Sequence, residues 1–97
     1  MNVSIASAAE AELAEAADFY RREAGATVSR VFLAEFERAV ALIADQPAIG
    51  APWRASIRRL PLRRFPYSVL YEVRGAEIRL IAVAHQRRKP GFWRGRT

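Results

Sequence analysis

The stretch Tyr67-Ser68-Val69-Leu70-Tyr71-Glu72-Val73-Arg74-Gly75-Ala76-Glu77-Ile78-Arg79-Leu80-Ile81-Ala82-Val83-Ala84-His85 decides the fold. Tyr67, Val69, Tyr71 and Val73 alternate with Ser68, Leu70, Glu72 and Arg74. After Gly75, Ile78, Leu80 and Ala82 alternate with Arg79, Ile81 and Val83. A period of two belongs to a β-strand, whose successive side chains leave opposite faces of the sheet. Gly75 stands where the chain has to reverse, so the segment reads as two antiparallel strands joined by a turn. Apolar residues on both faces mark these as central strands, covered on both sides. Ile57 to Leu62 reads as the strand before them, ending or bulging at Pro61, which has no N–H for a ladder.

Upstream of the strands the period changes. Asn2 to Ile5 reads as a short strand, and Ser7 with Glu10 has the spacing of a capping box that opens a helix. Leu13, Ala16, Ala17, Tyr20 and Ala24 recur at helical spacing while Glu12, Glu15 and Asp18 take other faces, and Gly25 supplies the C-cap. Val28, Phe32, Phe36, Ala39, Val40 and Ile43 define a second helix through Asp45, which Pro47 stops. From Gln46 to Trp53, Pro47, Gly50 and Pro52 read as a loop. The expected order is β-α-α-β-β-β, an α+β domain with an N-terminal helical hairpin packed on a mainly antiparallel sheet. At 97 residues the chain makes one domain, residues 1–97.

Charge divides the same chain in two. Residues 1–50 carry four basic and eight acidic side chains (4 − 8 = −4), and residues 51–97 carry twelve and two (12 − 2 = +10). A dipole of this size attracts polyanions or an acidic protein segment. The chain has no cysteine, which excludes disulfides and thiolate chemistry and fits a reducing, cytoplasmic compartment. Met1 to Ala17 lacks the basic start and apolar run of a signal peptide, and no run approaches the length of a membrane span.

Two basic clusters flank the hairpin. Arg58, Arg59, Arg63 and Arg64 precede Phe65-Pro66-Tyr67, and His85, Arg87, Arg88 and Lys89 follow the last strand. Antiparallel pairing places the entrance of one strand beside the exit of the other, so the clusters are expected at one end of the sheet. Phe65, Tyr67, Phe92 and Trp93 are interleaved with them, a combination suited to phosphate attraction and base stacking. Arginines on outer strands also keep sheet edges from pairing, and Phe92 and Trp93 also suit anchoring of the tail. The single histidine, His85, is a candidate proton-transfer group whose neighbouring cations favour the neutral ring. One histidine with only Glu72 and Glu77 in the basic half makes no conventional metal site, and there is no phosphate-binding glycine motif.

Several segments taken in order resemble the RelE/ParE toxin family: Ile57-Arg58-Arg59-Leu60, Arg64-Phe65-Pro66-Tyr67-Ser68-Val69-Leu70-Tyr71, Ile81-Ala82-Val83-Ala84-His85, and Arg87-Arg88-Lys89-Pro90-Gly91-Phe92-Trp93. The resemblance extends to the acidic first helix, the Phe32 to Ile43 helix and the Pro47–Gly50 loop. It implies the toxin of a bacterial type II toxin-antitoxin system, held in a hetero-oligomer by a cognate acidic antitoxin. Operator DNA would be contacted only indirectly, through that antitoxin. No cofactor, metal or membrane is implied.

The family divides by target. RelE-like members cleave messenger RNA on the ribosome without metal, and the resemblance places Arg59, Ser68, Arg87 and Trp93 at the corresponding positions, with His85 as a further catalytic candidate. Ser68 stands where many RelE-like enzymes have a basic residue, and the Trp93 indole cannot act as an acid. ParE-like members poison DNA gyrase by binding and need a recognition surface only, which favours that branch over the ribonuclease. A nucleic-acid-binding module without toxicity is the third reading. Arg58, Arg59, Arg63, Arg64, Tyr67, Arg87, Arg88, Lys89, Trp93 and Arg94 are the candidate contacts to target or antitoxin.

Overall fold

The computed structural model describes residues 1–87. Its elements are β1 (Asn2–Ile5), α1 (Ser7–Ala24), α2 (Ala26–Asp45), β2 (Ala51–Arg54), β3 (Ile57–Pro61), β4 (Tyr67–Arg74) and β5 (Glu77–His85). They build one five-stranded sheet in the order β1-β5-β4-β3-β2. β1 runs parallel to β5 and every other pairing is antiparallel. The architecture is therefore α+β with the expected helical hairpin, and it contains one strand more than the expected order.

That strand, β2, lies in the segment read as a loop. Pro52 lacks an N–H and is tolerated because β2 forms the outer edge of the sheet. The capping box is a second correction. The N-cap is Ala6, with no side-chain bond, because its N–H still pairs with the Leu80 carbonyl at 2.9 Å as an extension of β1. Ser7 is thereby already the first helical residue. Gly25 alone separates the two helices and sits at φ 96°, ψ 167°, a region open to glycine. Buried Ser29 ties them together by donating its Oγ hydrogen to the Ala17 carbonyl at 2.7 Å.

The hairpin packs its apolar stripe on one face of the sheet. Ala16 of α1 and Phe32, Phe36, Ala39 and Ile43 of α2 meet Val69, Tyr71, Ile78, Leu80 and Val83. A second cluster of Ile57, Leu70, Ile81, Ala82 and Ala84, with Trp53 packed against it, occupies the opposite face. Strict alternation in β5 would have put Ala82 with Leu80. Instead the register steps from Leu70↔Ala82 to Tyr71↔Leu80, so Ile81 is an extra residue, a β-bulge that shifts the phase of the strand. Val83 consequently faces the helices, and Ile81, Ala82 and Ala84 face away.

β1 ends at Leu80 in its pairing with β5, and among the described residues no strand pairs with the second half of β5 on that side. Glu12 of α1 covers part of this edge, its Oε1 accepting the Val83 N–H at 3.1 Å. No helix among the described residues is long and apolar enough to cross a membrane.

Candidate binding surface

Tyr67 opens β4 directly opposite His85, which closes β5. Their rings meet edge to face with centroids 5.2 Å apart. Tyr67 also stands 5.5 Å from Phe32 and 6.3 Å from Tyr20, and Phe65 lies 5.2 Å from Phe32 and 5.1 Å from Tyr20. These rings wedge the end of the sheet against the helix hairpin. Phe65 and Tyr67, expected as stacking faces, are half-buried and make edge-to-face packing contacts with the helices. Burial, followed by the charge of Glu15, pushes the Tyr67 phenol up from its ordinary value.

The imidazole of His85 is half-buried, and its Nδ1 accepts the backbone N–H of Arg87 at 3.2 Å. That contact occupies one of the two ring nitrogens. Arg59, exposed on β3, pairs in register with Leu70. With Trp53, Ser68, Leu70, Ala84, His85 and Gln86 it lines a cleft of about 40 Å³. Ser68 is buried at 4% exposure. The fold thus brings Arg59 and Ser68 together on the sheet face away from the helices, while His85, paired with Tyr67 at the end of the sheet, borders both this cleft and the helix side.

The remaining arginines go elsewhere. Arg58 donates from Nη1 to the carbonyls of Gly50, at 2.7 Å, and Ala48, at 3.2 Å, so its guanidinium fastens the loop before β2. Arg63 and Arg64 occupy the turn between β3 and β4, on the helix side. There the Arg63 N–H donates to Glu35 Oε2 at 2.6 Å, while Arg38 grips the same carboxylate through Nε at 2.7 Å and Nη2 at 2.8 Å. The Arg38 hydrogen bonds, helped by the Arg63 N–H, hold the Glu35 carboxyl below its ordinary value against the opposing effect of burial. Val31, Ala34, Glu35, Arg38, Arg63, Arg64 and Phe65 line a groove of about 310 Å³.

Among the described residues the basic side chains therefore do not merge into one patch. Arg59 and the Arg63–Arg64 pair lie on opposite sides of the sheet, because neighbouring strand residues alternate and the chain turns between them. Arg87 is exposed at the end of β5. Arg88, Lys89, Trp93 and Arg94, with Phe92, lie outside the described residues. A third groove of about 250 Å³ borders His85 and Tyr67 with an acidic wall, Glu12 and Glu15 of α1. Among the described residues no three His, Cys, Asp or Glu side chains gather as a metal would require.

Glu35, Arg38 and Glu12 are the site residues that sequence reasoning passed over. The i, i+3 spacing of Glu35 and Arg38 is a local sign of an ion pair. The link from Glu35 to Arg63 crosses 28 residues and leaves no such sign.

Comparison with known proteins bears on the whole chain. A chain from the chromosomal ParDE toxin-antitoxin system of P. aeruginosa is similar in fold, with a TM-score of 0.76 and 24% identity, covering 88% of this chain and 95% of that one. No curated protein matches in sequence. The family model for the ParE toxin of the type II toxin-antitoxin system parDE matches residues 3–90. Because that match spans both helices and all five strands, the chain belongs to the ParE toxin family of type II toxin-antitoxin systems.

Proposed function

We propose that this chain acts in the cytoplasm as a gyrase-directed toxin, inhibiting DNA gyrase by binding it, and that a cognate protein antitoxin neutralises it. The observation that carries this reading is the state of the polar groups around the Arg59 cleft. Ser68 is buried and His85 Nδ1 already accepts the Arg87 N–H, so the hydroxyl is shielded and that nitrogen is taken, and Tyr67 packs on the helix side of the sheet outside the cleft. The cleft of about 40 Å³ also falls far below the roughly 300 Å³ at which small-molecule sites begin, and a nucleotide would need more room. Inhibition by binding needs none of these groups. Family membership supports a toxin, and likeness to a chain of the P. aeruginosa ParDE system supports a protein partner.

The test is direct. Purified protein added to gyrase and supercoiled plasmid should accumulate a cleaved gyrase–DNA complex, and antitoxin should suppress it. No cleaved complex at micromolar protein, combined with messenger RNA cut on ribosomes, would transfer the assignment to ribonuclease and restore Arg59, His85 and Arg87 as catalytic candidates. The absence of both effects would point to a nucleic-acid-binding module without toxicity.

A further inference from the structure

Three guanidinium groups, those of Arg38, Arg63 and Arg64, border the groove of about 310 Å³ between α2 and the β3–β4 turn. Its apolar lining is Val31, 42% exposed, with Ala34 and Phe65. The one acid present, Glu35, is fully used: both carboxylate oxygens accept from Arg38, and Oε2 also accepts the Arg63 N–H. The Arg63 and Arg64 side chains are left without a hydrogen bond or ion pair among the described residues. Arg64 is moreover held at φ 70°, a left-handed conformation that a side-chain-bearing residue adopts at a cost. Glu35 is the one carboxylate facing these three cations, its charge felt by Arg38 and Arg63, so the groove keeps a net positive charge that attracts an anion.

The shape and chemistry of the groove select among anions. A phosphodiester chain has no aliphatic group for Val31 and Ala34 and would meet the Glu35 carboxylate on the wall. Phe65 is half-buried and its ring is already engaged edge to face with Tyr20 and Phe32, which leaves it suited to a small aliphatic group more than to a stacked base. A peptide with carboxylates spaced around an aliphatic side chain satisfies both the charge and the apolar lining.

We propose that this groove docks an acidic peptide segment of the neutralising antitoxin, its carboxylates pairing with Arg63 and Arg64 and an aliphatic side chain covering Val31, Ala34 and Phe65. The proposal deepens the toxin–antitoxin reading above and rests on it. It assigns Arg63 and Arg64 to the antitoxin, and leaves the face carrying Arg59 for the target. Glu35 becomes the residue that presents the pair, fixing the turn through the Arg63 N–H.

Titration calorimetry of the full chain with its purified cognate antitoxin tests it. The double variant Arg63→Glu, Arg64→Glu should weaken binding by about 100-fold or more, since it replaces attraction by repulsion at desolvated charge pairs. Val31→Asp should weaken it by about 10-fold or more. Arg30→Glu, an exposed α2 substitution outside the groove lining, should leave it unchanged. Hydrogen exchange on the wild-type complex gives the same test without a substitution, and backbone protection must rise over residues 62–66. No binding by wild type overturns both the proposal and the antitoxin reading. Wild-type binding with undiminished affinity in the groove variants, or unaltered exchange over 62–66, overturns the proposal alone. Loss of affinity for a single-stranded RNA oligonucleotide in the double variant, with antitoxin binding intact, would make the groove a nucleic-acid site and overturn it as well.

Discussion

Tyr71 has no solvent exposure, and its hydroxyl is satisfied twice. It donates to the Pro47 carbonyl at 2.7 Å and accepts the Gly50 N–H at 2.9 Å, binding the loop after α2 to the middle of the sheet. Tyr71→Phe keeps the ring and strands both partners, so it should cost about 1–3 kcal/mol in urea denaturation with an unchanged m value. Gly50→Ala should cost about 1–3 kcal/mol in the same measurement, because its Cβ would lie 2.7 Å from a hydroxyl pinned by two bonds. Glu35 gives a pH signature. Its folded carboxyl is held below the ordinary 4.5, so its contribution to stability is complete above that value and lost as pH falls through the lower, folded one. The stability gap between wild type and Glu35→Gln should therefore be constant at neutral pH and close in acid, as followed by thermal melts across pH.

The short connections between elements divide their glycines by conformation. Gly25, between α1 and α2, has nothing within 4 Å of a built Cβ, yet its φ of 96° and ψ of 167° suit glycine almost alone. Gly25→Ala should cost about 1–3 kcal/mol without any clash. Gly75 turns the β4–β5 hairpin at φ 59°, a left-handed value that asparagine accepts, so Gly75→Asn should stay within about 1 kcal/mol of wild type. Comparative melting of the two variants checks both. The helices and the β4–β5 hairpin were legible because each announces itself by a local period and ends at glycine or proline. β2 was not, since four residues containing Pro52 show no period and pair only because β3 already offers an edge. The bulge at Ile81 was equally silent. An inserted residue among Ile81, Ala82, Val83 and Ala84 leaves the run apolar whichever side each one faces.

Across the whole molecule the separation of −4 and +10 between sequence halves should appear in kinetics more than in final affinity. Association with an acidic partner should slow by about 10-fold or more between low and high salt, while dissociation changes less, as stopped-flow measurements would record. Sequence exposed this charge and both arginine clusters but could not sort them. Whether Arg59 and Arg63 share a surface depends on strand alternation and a turn, and the carboxylate that organises the Arg63–Arg64 turn arrives from α2, 28 residues earlier. The parallel pairing of β1 with β5 has a consequence in time. Asn2 pairs with Glu77, so the first strand to leave the ribosome waits for the last one of the sheet to be synthesised. Until then β1 has no partner and α1 lacks much of the surface it packs on. The sheet is completed by its latest-made member, and any protein that recognises the finished surface meets a chain whose translation has already passed β5.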